Sequence, residues 1–162
     1  DTLQGLVFWT MGSIDRASWQ KVGILFAILA VVMPLSMRSA WKLTALRLGE
    51  DRAISFGINV RRLRLTTLLR ISILSALSVA FVGPIGFIGL VVPHLMRLWL
   101  GPDHRGLIPG SLLAGAILLL LADTLARTVA APAEIPVGLL TSLLGAPWFL
   151  WLVFRRENSR HG

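Results

Sequence analysis

The chain has 162 residues, 55% of them hydrophobic and 15% charged, with a formal net charge of +8 and a mean hydropathy of +0.75. Soluble domains carry about 25% charged residues, so this balance excludes a disordered tail and argues for an integral membrane protein. The 16 Lys and Arg are spread among long apolar runs, which reads as membrane orientation and not as a nucleic-acid face. No cysteine is present, excluding disulfides, thiolate metal sites and cysteine nucleophiles. The opening Asp1-Thr2-Leu3-Gln4 has neither an initiator Met nor a basic-then-apolar leader, so the chain is expected to be a piece of a longer polypeptide.

The first predicted span is 19–37. Its core, Val22 to Met37, holds 16 uncharged residues, about 24 Å of helix. Trp19 and Lys21 serve as interfacial anchors, and Pro34 marks a terminus or kink near the end. A polar connection over 40–65 follows. From Arg38 to Arg64, seven basic residues (Arg38, Lys42, Arg47, Arg52, Arg61, Arg62, Arg64) are set against two acids, Glu50 and Asp51. Beyond it, Ile71 to Met96 is uncharged apart from a neutral His94, but Gly83-Pro84-Ile85-Gly86 interrupts the run.

Charge decides whether that interruption is a turn or a kink. With a turn, the eight basic residues from Arg38 to Arg70 share a side with Arg97, Arg105, Arg155, Arg156 and Arg160. That is 13 of the 16, leaving Arg16, Lys21 and Arg127 opposite. With a kink, the later loops change sides and the split becomes 9 against 7. The positive-inside rule selects the turn. The predicted fold is thus an all-α, polytopic helix bundle with five transmembrane helices, at 19–37, 66–82, 87–100, 110–127 and 136–154. The basic loop and the C-terminus are placed in the cytoplasm. The fourteen residues of 87–100 make a short span of about 21 Å, which must be partly surrounded by protein.

Small residues recur along the last three spans: Gly86 and Gly89, then Gly110, Ala114, Gly115 and Ala116, then Gly138, Gly145 and Ala146. At such spacing they let helix backbones approach; the competing reading is a substrate passage lined by these faces. Asp123 and Arg127 stand four apart on one helix and are predicted to pair, either fixing packing at the outer end or gating. His94 follows Pro93 and precedes Arg97 by three; it reads as a hydrogen-bonded histidine near a helix end, since no second His or carboxylate stands at metal-ligand spacing. Asp103 is expected to cap a turn in the short inner loop.

The basic loop is more than a tether. Trp41, Ala45 and Leu48 fall at helical spacing, Gly49 suits a left-handed helix end, and Glu50 and Asp51 suit the start of a second short helix that Gly57 ends. Ala53, Ile54 and Phe56 are apolar where a connection would be polar. Two readings stand side by side. One is an amphipathic pair lying on the lipid surface, with Arg61, Arg62 and Arg64 attracting anionic headgroups. The other is a helix-turn-helix knob inserted into a cytosolic partner such as an ATPase.

At these residues the chain resembles a known family. Leu48-Gly49-Glu50 with Ser55-Phe56-Gly57-Ile58-Asn59-Val60, the run from Gly83 through Pro93-His94 to Arg97, and Gly101-Pro102-Asp103-His104-Arg105 are similar to FecCD-type permeases. So are Leu121 to Arg127 with its Asp123, Glu134-Ile135-Pro136-Val137-Gly138, and Gly145-Ala146-Pro147-Trp148-Phe149. The motifs run in family order over essentially the whole chain. The resemblance implies the membrane subunit of an ABC importer for ferric siderophores, haem or cobalamin, nearest to the ferric-hydroxamate type, in which two permease copies can be fused. It implies a subunit of about ten helices, of which residues 1–162 are the C-terminal part, with 1–18 an external connection near a docked binding protein. It also implies that 40–65 forms two coupling helices seated in the ATPase. Carried over, the docking residues are Leu48, Gly49, Glu50, Ala53, Phe56 and Gly57, with Arg47 and Arg52 adding ion pairs. The structural or gating candidates are Gly83, Pro84, Pro93, His94, Arg97, Asp123, Arg127, Glu134 and Pro136.

No catalytic set stands out: there is no Walker A loop, HExxH, GxSxG or paired carboxylate setting. With no such set, the resemblance implies a non-enzymatic, multi-pass transport subunit of a bacterial cytoplasmic (inner) membrane, binding no metal or cofactor itself. The expected partners are a cytosolic ATPase dimer that uses ATP and Mg, a periplasmic or surface substrate-binding protein, a second permease copy or fused half, and the bilayer. The alternative is an ion-coupled secondary transporter, which needs an ionisable residue at mid-depth; only Asp123 approaches that.

Overall fold

The computed structural model describes residues 2–14, 17–129 and 135–158. Seven helices follow in order: α1 (Thr2–Thr10), α2 (Trp19–Leu46), α3 (Glu50–Ser55), α4 (Val60–Val82), α5 (Ile88–Leu100), α6 (His104–Val129) and α7 (Val137–Asn158), with no strand among the described residues. Four of them, α2, α4, α6 and α7, are long and apolar enough to cross a membrane. Helix α5, expected as a fifth span, has 13 residues and is about 20 Å long, the short helix that the glycine-proline break predicts.

Hydrogen bonds at the helix ends establish the path of the chain. Ser13, just before α2, donates its N–H to Val82 O at the end of α4 (2.9 Å), so α4 returns to the level from which α2 set out. At the other end Arg47 Nη1 donates to Pro102 O (3.2 Å). The end of α5 therefore lies beside the end of α2, and α5 runs antiparallel to α4. The segment 83–87 is a true reversal. His104 at the start of α6 sits beside Thr44, whereas Gly138 at the start of α7 donates to Gly12 O (3.3 Å). Five helices thus run between two levels, with Arg38–Arg70, Arg97 and Arg105 toward one and Lys21 and Arg127 toward the other.

Helix ends depart from the hydropathy reading in one consistent direction: the helices overrun the apolar stretches. Helix α2 continues through Pro34 to Leu46 over 28 residues, about 42 Å, so Pro34 is an interior residue and not a terminus. The first of the two predicted loop helices is the continuation of α2. Helix α4 begins six residues before its expected span, and α6 begins at His104, six residues before the expected start at 110. In residues 1–18, predicted as a connection, Thr2–Thr10 is helical.

Two features hold the bundle together. Gly83 has φ +81°, and a Cβ there would strike Trp9 O and approach Gly12 Cα at 3.1 Å; at Gly138 a Cβ would strike Met11 O. The α1–α2 connection, the α4–α5 turn and the start of α7 thus meet backbone to backbone, where only glycine fits. Small residues also seat α5 against its neighbours: Gly110 faces the Leu100 side chain, Gly115 faces Val92, and Gly145 faces the Phe87 ring. Phe87 itself has φ +66°, a conformation costing on the order of 1 to 3 kcal/mol for a bulky residue. Its ring is held by Gly145 and tilts against Phe149 at 6.4 Å.

Candidate functional site: the α2–α4 loop and the helix ends around it

The loop has a core of its own. Ala45, Ala53, Ile58, Val60 and Leu63 are buried together, with Leu43 and Leu46 packed on them. Its turns are specified locally. Gly57 at φ +75° ends α3: Gly57 N–H donates to Ile54 O (2.8 Å) and Ile58 N–H to Ala53 O (3.1 Å), the paired bonds of a Schellman cap. Asn59 then accepts from Arg62 N–H at 2.9 Å and caps α4. Gly49 has φ +119° and ψ +149°, a positive-φ region open essentially to glycine alone. This corrects the expectation of a left-handed helix end there, since Arg47 caps α2 and Gly49 redirects the chain into α3.

This core sorts the predicted docking residues. Leu48 is 60% exposed and Phe56 63%, and Gly49 and Gly57 have open space around them. Glu50 is exposed and accepts from Arg64 at 2.9 Å, pinning α3 to α4. Ala53 is fully buried, so it supports the knob from within and touches nothing outside it. Ile54, absent from the predicted docking set, is 57% exposed on the same short helix. No local pattern marks it, since Ala53 and Ile54 are adjacent apolar residues of one short helix. Because the Glu50–Arg64 pair is exposed on both sides, Arg64→Gln is expected to lower thermal stability by less than about 1 kcal/mol; a larger loss in a melting assay would contradict this description of the loop.

The loop is tied to the rest of the bundle at two points. Arg47, predicted to ion-pair with a partner, instead donates to Pro102 O within the chain. Beside it, the Thr44 hydroxyl accepts from His104 N–H (3.0 Å). The same hydroxyl lies 3.2 Å from Asp103 Oδ1 and 3.0 Å from His104 Nδ1. Asp103, expected to cap a turn in the loop, instead stands at the start of α6, accepting from Arg105 N–H (3.1 Å) and, through its carbonyl, from Leu107 N–H (3.0 Å). The second tie is Arg70, which donates to Leu35 O (2.9 Å) and Ser39 Oγ (3.1 Å). Helix α3 is joined to α4 by the Glu50–Arg64 pair, and α2 in turn to α4 and to the α5–α6 connection. Thr44→Val should leave the His104 N–H without this acceptor and cost about 1 to 2 kcal/mol, measurable as a lowered melting temperature.

The remaining candidates are dispersed. Pro93, His94 and Arg97 line a cleft of about 370 Å³ with Gly89, Trp148 and Phe149. Gly83 and Pro84 form the reversal, and Pro136 O accepts from Leu139 N–H (3.0 Å) to open α7. Asp123 and Arg127 form the predicted pair, Nε to Oδ2 at 2.9 Å, on the last turns of α6 at the opposite level from the loop. Glu134 lies outside the described residues.

These features define a class: a polytopic membrane bundle whose helices, largely exposed along their apolar stretches, carry a self-supported knob at one end. The chain belongs to the FecCD transport family, whose model matches residues 1–155. The hemin transport system permease HmuU of Yersinia pestis is 50% identical over 160 residues, covering 99% of this chain and 48% of that protein. The ferric dicitrate permease FecC of Escherichia coli is 41% identical (96% and 47% covered). The vitamin B12 permease BtuC of Vibrio cholerae is 43% identical (97% and 47% covered). A solved structure of a metal-chelate type ABC transporter in an inward-facing conformation superposes with a TM-score of 0.86 at 37% identity, over 95% of this chain and 51% of that one. The chain therefore spans about half the length of the relatives it matches.

Proposed function

We propose that the chain is the C-terminal half of a permease subunit of an ABC importer that carries an iron chelate, haem or a cobalamin-like molecule into the cytoplasm, powered by a separate ATPase dimer. The observation that carries this reading is the α3 knob. It packs its own core, presents Leu48, Ile54 and Phe56 outward and is paired to α4 through Glu50–Arg64, while the adjoining end of α2 is bonded to Pro102 and to the start of α6. Closure of an ATPase on that knob would move three helix ends together and tilt the bundle between outward and inward access. The chain itself binds no nucleotide in this reading; ATP and Mg belong to the partner.

The 13-to-3 sorting of basic residues supports a bacterial cytoplasmic membrane with the knob and the C-terminus inside. The knotted outer level around Gly12, Gly83 and Gly138 is then the side on which a substrate-binding protein docks. The exposed apolar faces of α4 and α7 are covered by lipid, the other half of the subunit and a second permease copy or fused half. Gating roles for Pro93, His94, Arg97, Asp123, Arg127 and Glu134 belong to the same proposal. Relatives that carry hemin, ferric dicitrate and vitamin B12 in their names support the substrate class; the hydroxamate type within it rests on the motif resemblance.

Uptake by the full-length transporter should persist when an uncoupler collapses the proton gradient while cellular ATP is maintained. Uptake that stops under those conditions would instead favour ion-coupled secondary transport.

A further inference from the structure

Between the loop and the bundle, a cleft of about 610 Å³ opens where α2 and α4 leave the membrane, lined by Trp41, Lys42, Asn59, Arg62, Thr66 and Arg70 among others. We propose that this cleft holds the headgroup of an anionic phospholipid from the inner leaflet, an inference that rests on the reading above for the side of the membrane. Its lining carries three cations and no carboxylate. Among the described residues neither Lys42 nor Arg62 has an ion-pair partner; Lys42 Nζ lies 5.9 Å from the centroid of the Trp41 ring. The cleft therefore concentrates uncompensated positive charge and N–H donors, the complement of a phosphodiester.

Its depth matches a lipid headgroup. Arg70 bonds to Leu35 O and Ser39 Oγ, at the level where the uncharged run of α2 ends at Met37 and that of α4 begins at Ile71. Arg70 thus marks the hydrocarbon edge. Lys42, three residues beyond Ser39, and Thr66, four before Arg70, lie about 5 to 6 Å farther out, within a headgroup zone of about 5 to 8 Å per leaflet. Arg62 reaches the same zone from above by its long side chain. Trp41 is 42% exposed there, the position of an interfacial aromatic. Past Arg70, Ile71 and Ile73, at 54% and 48% exposure, continue along α4 toward the membrane interior and offer acyl chains a surface. An acidic patch on a soluble partner would have no use for that apolar continuation.

The test uses the full-length transporter, purified without its ATPase from membranes containing both phosphatidylglycerol and phosphatidylcholine, with retained lipid read by native mass spectrometry. The wild type is expected to retain phosphatidylglycerol over phosphatidylcholine and to melt at a higher temperature in phosphatidylglycerol nanodiscs. Lys42→Gln/Arg62→Gln should lower that retention by roughly tenfold or more, while Arg61→Gln/Arg105→Gln, equal in charge but outside the cleft, should not. Millimolar inorganic phosphate should fail to displace the lipid. A wild type with no preference between the two lipids, retention unchanged in the cleft variant, or displacement by phosphate alone would each overturn the proposal. So would a cleft variant that loses the ATPase on co-purification while keeping its lipid, since the cleft would then meet a protein. The wild-type arm stands even if the variant fails to fold. Because retention is read without the ATPase, failure here leaves the importer reading intact, and ion-driven uptake would leave the lipid result intact.

Discussion

Gly83→Ala is expected to destabilise the bundle by about 2 to 5 kcal/mol, the strain of a side chain at this positive φ together with a methyl group driven into backbone. At φ +81° the added Cβ meets Trp9 O and Gly12, none of which can move as a side-chain tip could. Two substitutions calibrate the result. Gly57→Ala, at φ +75° in open space, carries only the conformational cost of about 1 to 2 kcal/mol. Gly23→Ala, inside α2 with nothing nearby, should be neutral or stabilise by up to about 1 kcal/mol. Thermal denaturation of the three variants in one detergent checks the order. Gly83→Ala melting with Gly23→Ala would show that the junction of Gly83 with Trp9 and Gly12 is loose.

The second large effect is expected at the knob. Gly49→Pro forces φ from +119° to about −65° and removes an N–H, here the one that donates to Leu46 O at 3.2 Å, so α3 is re-aimed. Phe56→Asp leaves the fold alone, because the side chain is 63% exposed, but places a charge where an apolar anchor would sit. Each should reduce ATP-driven uptake by on the order of tenfold or more, as loss of an interface anchor does, with expression and melting of Phe56→Asp unchanged. Unaltered uptake in both variants would remove the knob from the coupling path.

Much of this was legible in the chain. Charge asymmetry identified Gly83–Gly86 as a turn, and Val82 O bonded to Ser13 N–H is the physical form of that reversal. Gly57 and the Asp123–Arg127 pair were readable because caps and i,i+4 pairs are local. What hydropathy could not show is where helices end, since it reports the edge of the lipid and not the edge of the hydrogen-bond ladder. Hence α2 runs past Arg38 to Leu46 and passes through Pro34, a residue tolerated inside a transmembrane helix. The Arg47–Pro102 and Arg70–Leu35 bonds join residues 55 and 35 apart in sequence and leave no local pattern. Arg47 therefore looked free for a partner. Ala53 and Ile54 are adjacent apolar residues, and only the packing of α3 on Val60 and Leu63 decides which is inside.

On the proposed reading the α3 knob, and not another part of this chain, is where an ATPase engages. The chain contributes no native cysteine, so Ile54→Cys provides a single reactive point on the knob and Leu68→Cys, exposed on α4, a control on the membrane-facing surface. A short thiol–amine crosslinker applied to the assembled transporter should join the ATPase subunit to Ile54→Cys and not to Leu68→Cys. An active transporter in which Ile54→Cys gives no ATPase crosslink would contradict the account.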